Sequence, residues 1–126
     1  MMKVNGMSDS VPVVDWERLL ETVGQDRELL LDLVNTFLGE GPETMNAIRG
    51  AIAAQDGKTL QLAAHTLKGA LKTLGAKSAS EAAWALEQKG KQGDTSDTEP
   101  LVADLQQKLD PVIQTLTANV AGESRP

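Results

Sequence analysis

An all-α fold, an antiparallel four-helix bundle with a short extra N-terminal helix, is what this 126-residue sequence predicts. Three observations carry it. Apolar residues recur at three-four spacing through four long stretches. No segment alternates polar and apolar with a period of two, and clusters of β-branched residues are absent. The connections are short and rich in glycine, aspartate and proline, which suits antiparallel neighbours.

Met1 to Val11 shows no periodicity and is expected to be a disordered tail, with one folded domain over 12–121 and a second disordered tail over 122–126. Asp15 is placed to cap a short helix that runs to Thr22 or Val23, where Gly24 ends it; Trp16, Leu19, Leu20 and Val23 form its apolar face. Asp26 is a second N-cap. Behind it Leu30, Val34, Phe37, Gly41, Met45, Ile48 and Ile52 keep one apolar seam to about Gln55. The seam crosses Gly41-Pro42 without a change of register, so one kinked helix is expected there rather than two.

Asp56-Gly57 makes the next turn, and a helix from about Lys58 to Leu74 follows, stopped by Gly75 in a left-handed C-terminal conformation. Ser78-Ala79-Ser80-Glu81 reads as a capping box that opens a helix to about Lys91, with Ala79, Ala82, Ala83 and Leu86 able to pack closely on the helix before it. Gly90 to Glu99 is expected to be a loop or a frayed end. Pro100 suits a first helical turn, and Leu105, Leu109, Val112, Leu116 and Val120 carry a last helix past Pro111.

The only histidine, His65, lies in the third of these stretches. Leu60, Ala64, Leu67, Leu71 and Leu74 form the apolar stripe of that helix, and His65 points roughly 140° from its centre, toward solvent. Lys68, Gly69 and Lys72 follow on the same face at i+3, i+4 and i+7, with Gln61 and Lys58 one and two turns earlier. A mid-helix glycine costs about 1 kcal/mol relative to alanine, so Gly69 implies a need for the missing side chain. Beside an exposed imidazole, that need is clearance for another molecule.

Charge indicates what kind of molecule. From Gly57 to Ser80 the chain carries four lysines and no acid, a window of +4 in a chain of −6, which leaves −10 on the rest. A local positive stripe on an acidic protein suits an anion, and histidine chemistry suggests a phosphoryl group. The acidic balance argues against general nucleic-acid binding, and one Phe, two Trp and no Tyr give bases few stacking platforms. With one histidine and no cysteine, no metal site of a standard kind is expected. No serine or threonine has a recognisable base and orienter, and no Gly-rich phosphate loop occurs. No apolar run approaches the ~20 residues of a membrane span, and no signal-peptide core opens the chain, so a soluble cytoplasmic protein is expected.

His65-Thr66-Leu67-Lys68-Gly69, followed by Leu74-Gly75-Ala76, resembles the signature of the histidine-containing phosphotransfer (HPt) domains of multistep two-component phosphorelays. The likeness extends to Leu19 to Asp26, Phe37, Leu86-Glu87 and Gly93-Asp94, and covers roughly residues 13 to 120. The resemblance implies an HPt-like bundle in which His65 accepts a phosphoryl group through Nε2. It would take that group from the aspartyl phosphate of a response-regulator receiver domain and pass it to the aspartate of another. Lys68 would lie against the phosphoryl oxygens, Gly69 would give clearance, and Gln61 and Lys72 would belong to the frame that meets the receiver. Glu87 matches a position where the family often carries Glu or Gln; it would orient His65 or pair with Lys68, with an ordinary surface carboxylate as the equal alternative. Trp84 falls off the apolar stripe of its helix, and shielding against the last helix is the simplest reading, a docking role the other.

The resemblance further implies a monomeric phosphocarrier rather than an enzyme, with no cofactor of its own and Mg²⁺ held by the partner receiver. A hybrid sensor histidine kinase would feed the relay. Docking is expected to combine an apolar patch near the first helix and the histidine helix with the stripe of Lys58, Lys68 and Lys72. Two alternatives stand beside this: the phosphoacceptor domain of a larger hybrid or chemotaxis-type histidine kinase, and a helical adaptor that has lost phosphotransfer. The opening methionines and polar end lean toward a free-standing protein, and the intact His-x-x-Lys-Gly argues against the adaptor. The dimeric phosphoacceptor helix of sensor kinases fits less well, because Thr66 stands in place of the usual acidic residue and Ala70-Leu71 in place of the proline.

Overall fold

The computed structural model describes residues 13–123, so the expected 1–11 tail and the last three residues lie outside it. Among the described residues there are five helices and no strand: α1 (Trp16–Thr22), α2 (Arg27–Ala53), α3 (Gly57–Thr73), α4 (Lys77–Lys91) and α5 (Glu99–Glu123). The long helices pack in the order α2, α3, α4, α5, with α5 closing onto α2 and α1 lying against α2.

Aspartates open the first three helices. Asp15 accepts from Arg18 N, Asp26 from Glu28 N and Leu29 N, and Asp56 from Thr59 N. Each satisfies backbone donors that the helix cannot, a contribution of about 1 kcal/mol. The apolar stripes then meet in one core: Val34, Met45 and Ile48 of α2, Leu60, Leu67 and Leu71 of α3, Leu86 of α4, and Leu105, Leu109 and Leu116 of α5 are all buried.

Three features differ in detail from the sequence reading. α4 begins at Lys77 with Ala76 as its N-cap and no side-chain cap, so Ser78-Ala79-Ser80-Glu81 is not a capping box. The reason is tertiary. Ala76 and Ser80 are buried, the Ser80 hydroxyl donates to Lys77 O, and the chain has only Leu74-Gly75-Ala76 in which to reverse between α3 and α4. Gly90 is neither loop nor frayed end; it lies within α4 and is buried against α3. Pro42, by contrast, sits exposed inside one continuous helix, as the unbroken apolar seam predicts. α5 continues to Glu123, two residues into the expected C-terminal tail.

The turn after α3 also fixes α1. Gly75 has φ +71°, Gly75 N donates to Lys72 O at 3.0 Å, and Ala76 N donates to Leu71 O at 2.9 Å, the paired bonds of a Schellman stop. Asp15 N donates to Leu74 O at 3.0 Å, and a Cβ on Gly75 would lie 2.5 Å from Asp15 Cβ. The glycine is therefore required twice, for its backbone angle and for the space. The result holds the start of α1 against the end of α3.

Candidate functional site

His65 projects from the middle of α3 with its side chain 64% exposed, while Leu60, Ala64, Leu67 and Leu71 hold the opposite face in the core. What lies beneath the imidazole is set by α4. A Cβ on Gly90 would come within 2.4 Å of Gln61 N and 2.7 Å of Gly57 O, so the two backbones approach as only glycine permits. With Ala79, Ala82 and Ala83 also buried along α4, the helices run close together. Glu87, one turn before Gly90, is thereby carried under both His65 and Lys68.

One carboxylate serves both side chains. Oε2 of Glu87 lies 2.8 Å from His65 Nδ1, and Oε1 lies 2.7 Å from Lys68 Nζ. The Glu87 side chain is only 12% exposed and that of Lys68 17%. Burial acts to raise the Glu87 pKa, but hydrogen bonds from Lys68 and His65, reinforced by their charges, outweigh it and leave the carboxyl below its ordinary value. An ionised carboxylate only accepts, so Nδ1 is the donor. In the neutral ring this places the lone pair on Nε2, which has no hydrogen-bond partner among the described residues.

Gly69 is exposed, and a Cβ there would meet nothing within 4 Å. Nothing among the described residues requires the glycine, so its space is open to an incoming molecule. Lys72 is exposed one turn beyond Lys68. Gln61 belongs to a different environment: its backbone sits at the crossing of α3 with Gly90, and no hydrogen bond links its side chain to His65.

Trp84 does not shield the last helix. It is 51% exposed and lines an open basin of about 520 Å³ at the junction of α1, α3 and α4, together with Arg18, Lys68, Lys72, Lys77 and Glu81. No local pattern places Arg18 or Lys77 here, since only the tie between α1 and the Leu74-Gly75 turn brings them together. On the other flank of α3, a smaller apolar groove of about 130 Å³ runs against α2, lined by Leu33, Phe37, Thr66 and Ala70 among others.

The arrangement can perform nucleophilic chemistry on an electron-poor, anionic centre: an exposed imidazole with one nitrogen pinned, an ammonium beside it, and open space one turn along. Among the described residues no group of three or more His, Asp or Glu side chains is placed to hold a metal ion, and no helix is long and apolar enough to cross a membrane.

Comparison with known proteins agrees with this geometry. The family model described as Hpt domain matches residues 32–115. Histidine-containing phosphotransfer protein B (HptB) from Pseudomonas aeruginosa PAO1 has a similar fold, with a TM-score of 0.80 at 20% identity over 89% of this chain and 97% of that one. The HPT domain of a sensor hybrid histidine kinase from Shewanella gives a TM-score of 0.75 at 23% identity over 90% and 97%. No curated protein matches the sequence significantly. The matched segment spans α3 and α4 whole, including His65, Lys68, Gly69 and Glu87, and the chain belongs to the Hpt domain family, the histidine phosphotransfer modules of phosphorelays.

Proposed function

We infer that His65 is the phosphoacceptor of this domain and that Nε2 is the atom that forms the bond to phosphorus. The observation that carries the reading is the Nδ1 contact with Glu87 at 2.8 Å, which leaves Nε2 as the exposed lone pair. Nε2 attacks the phosphorus of a receiver aspartyl phosphate. The N–P bond forms as the P–O bond to the aspartate breaks, and the aspartate leaves as a carboxylate. No proton has to move, because Nδ1–H remains on Glu87 and the positive charge gained by the ring faces that ionised carboxylate. The return step to a second receiver reverses the same bonds.

Lys68 supplies the electrostatics. An ammonium has three N–H donors, so it can keep one on Glu87 Oε1 and direct others at the phosphoryl oxygens. Transfer of a phosphoryl group depends mainly on position and charge, and a lysine already held in place loses little entropy when the substrate arrives. Gly69 leaves room for the receiver's approach, and Lys72 extends the positive surface. Gln61, one turn before His65 on the same helix, would belong to the frame that meets the receiver.

On this reading the domain is a cytoplasmic monomeric carrier in which His65 is consumed and regenerated. Its partners are receiver domains and a hybrid sensor histidine kinase, and Mg²⁺ belongs to the acidic pocket of the receiver. The test is incubation with a phosphorylated receiver and Mg²⁺. Wild type should gain acid-labile phosphate and His65→Gln should gain none. Equal labelling of both would refute the assignment.

A further inference from the structure

Arg18, Lys72 and Lys77 come from three helices yet line one basin, and none has a carboxylate partner among the described residues. Glu81 is the only acid in the lining, and although it stands four residues after Lys77 the two form no ion pair. Unpaired cations of this density stand out on a chain of net charge −6, since each repels the others. Beside them the indole of Trp84 is half exposed, an apolar face that none of the described residues covers. Lys68 belongs to the basin and to the histidine site at once, so the two surfaces are continuous.

We propose that this basin is a second docking surface that selects the partner receiver, seating an acidic segment of that receiver with an apolar residue against Trp84. The inference rests on His65 being the phosphoacceptor. A receiver placed over Nε2 already covers Lys68 and Gly69. Continuing along α3 to Lys72, about 10 Å from His65 at 1.5 Å per residue, brings it over the Arg18 and Lys77 side chains. Electrostatics chooses the occupant: a cationic bowl with one aromatic wall favours carboxylates flanking an apolar side chain. It disfavours a receiver with a basic surface at the same place. The α2–α3 groove, whose one charged lining residue is Glu40, does not offer that discrimination.

The experiment separates docking from chemistry. Phosphoramidate, a small donor that transfers its phosphoryl group to imidazole with release of ammonia, should label His65 equally in wild type, Arg18→Glu, Lys77→Glu and Trp84→Ala. With a receiver that transfers to wild type, each of the three should raise the half-saturating receiver concentration about tenfold at low salt, and the two charge reversals should flatten its salt dependence. Lys91→Glu, the same charge change at the far end of α4, should shift it less than twofold. Unchanged receiver saturation in Arg18→Glu and Lys77→Glu would overturn the inference, as would an equal loss in Lys91→Glu, which would mean a diffuse field. Loss of binding to a polyanion such as heparin, with receiver saturation intact, would assign the basin to polyanions and overturn it too. A wild type that takes no label from either donor would instead refute the phosphoacceptor reading and this inference with it.

Discussion

Nδ1 of His65 lies 2.8 Å from Oε2 of Glu87, a carboxylate on the neighbouring helix, so the tautomer of an exposed ring is set by a buried acid. Metal sites and catalytic triads use the same division of labour, one ring nitrogen tied down and the other left to react. Here the tie also holds Lys68, through the second oxygen of the same carboxylate.

Glu87→Gln keeps an acceptor for Nδ1–H but gives up the ion pair with Lys68. Glu87→Ala gives up both and leaves Lys68 without its anchor. Loss of a buried hydrogen bond to a charged group costs about 1.5–3 kcal/mol, so transfer should slow roughly tenfold to a hundredfold in Glu87→Ala, and less in Glu87→Gln. ¹⁵N shifts of the free imidazole should show one tautomer in wild type and a mixture in Glu87→Ala.

Gly69→Ala separates stability from function. A Cβ meets nothing within 4 Å, so the substitution should stabilise the helix by about 0.5–1 kcal/mol while slowing transfer from the receiver. Thermal unfolding and transfer kinetics on one preparation would decide. A variant that is more stable and equally fast would show that the clearance has no role.

Gly90→Ala acts from a distance. The added Cβ would stand 2.4 Å from Gln61 N, and backbone must move to admit it. Overpacking of this kind costs about 1–3 kcal/mol. The displaced α4 takes Glu87 with it, so the tautomer mixture of Glu87→Ala should reappear, measured by the same ¹⁵N shifts.

Acid should loosen the fold through this site. The Glu87 carboxyl is depressed in the folded state below its unfolded value of about 4.3. Its contribution is therefore fully present above that unfolded value and is lost as pH falls through the folded one. Asp56, held low by Thr59, and Asp94, held low by Ser96 and Lys89, act in the same direction. Urea midpoints should fall as pH drops below about 4.3, and Glu87→Gln should flatten part of that limb.

What the sequence made legible was local. The aspartate caps, the Gly75 stop, the apolar seam across Pro42 and the grouping of His65, Lys68, Gly69 and Lys72 all follow from residues within a turn or two of one another. The pairing of Glu87 with His65 spans 22 positions and depends on how closely α4 approaches α3. Gly90, which permits that approach, looks from sequence alone like any helix-ending glycine. Ser78 to Glu81 has the pattern of a capping box but sits where a three-residue turn and a buried Ala76 dictate the helix start. Trp84 and Arg18 fall together only because α1 is tied to the end of α3.

If Nε2 of His65 carries the phosphoryl group, ¹⁵N and ³¹P NMR of the imidazole-labelled protein after transfer from a phosphorylated receiver should show a single phosphohistidine. Its phosphorus should be on Nε2 and its proton retained on Nδ1, and no such species should form in His65→Gln. Phosphorus on Nδ1, or a phosphorylated residue that survives in His65→Gln, would contradict that assignment.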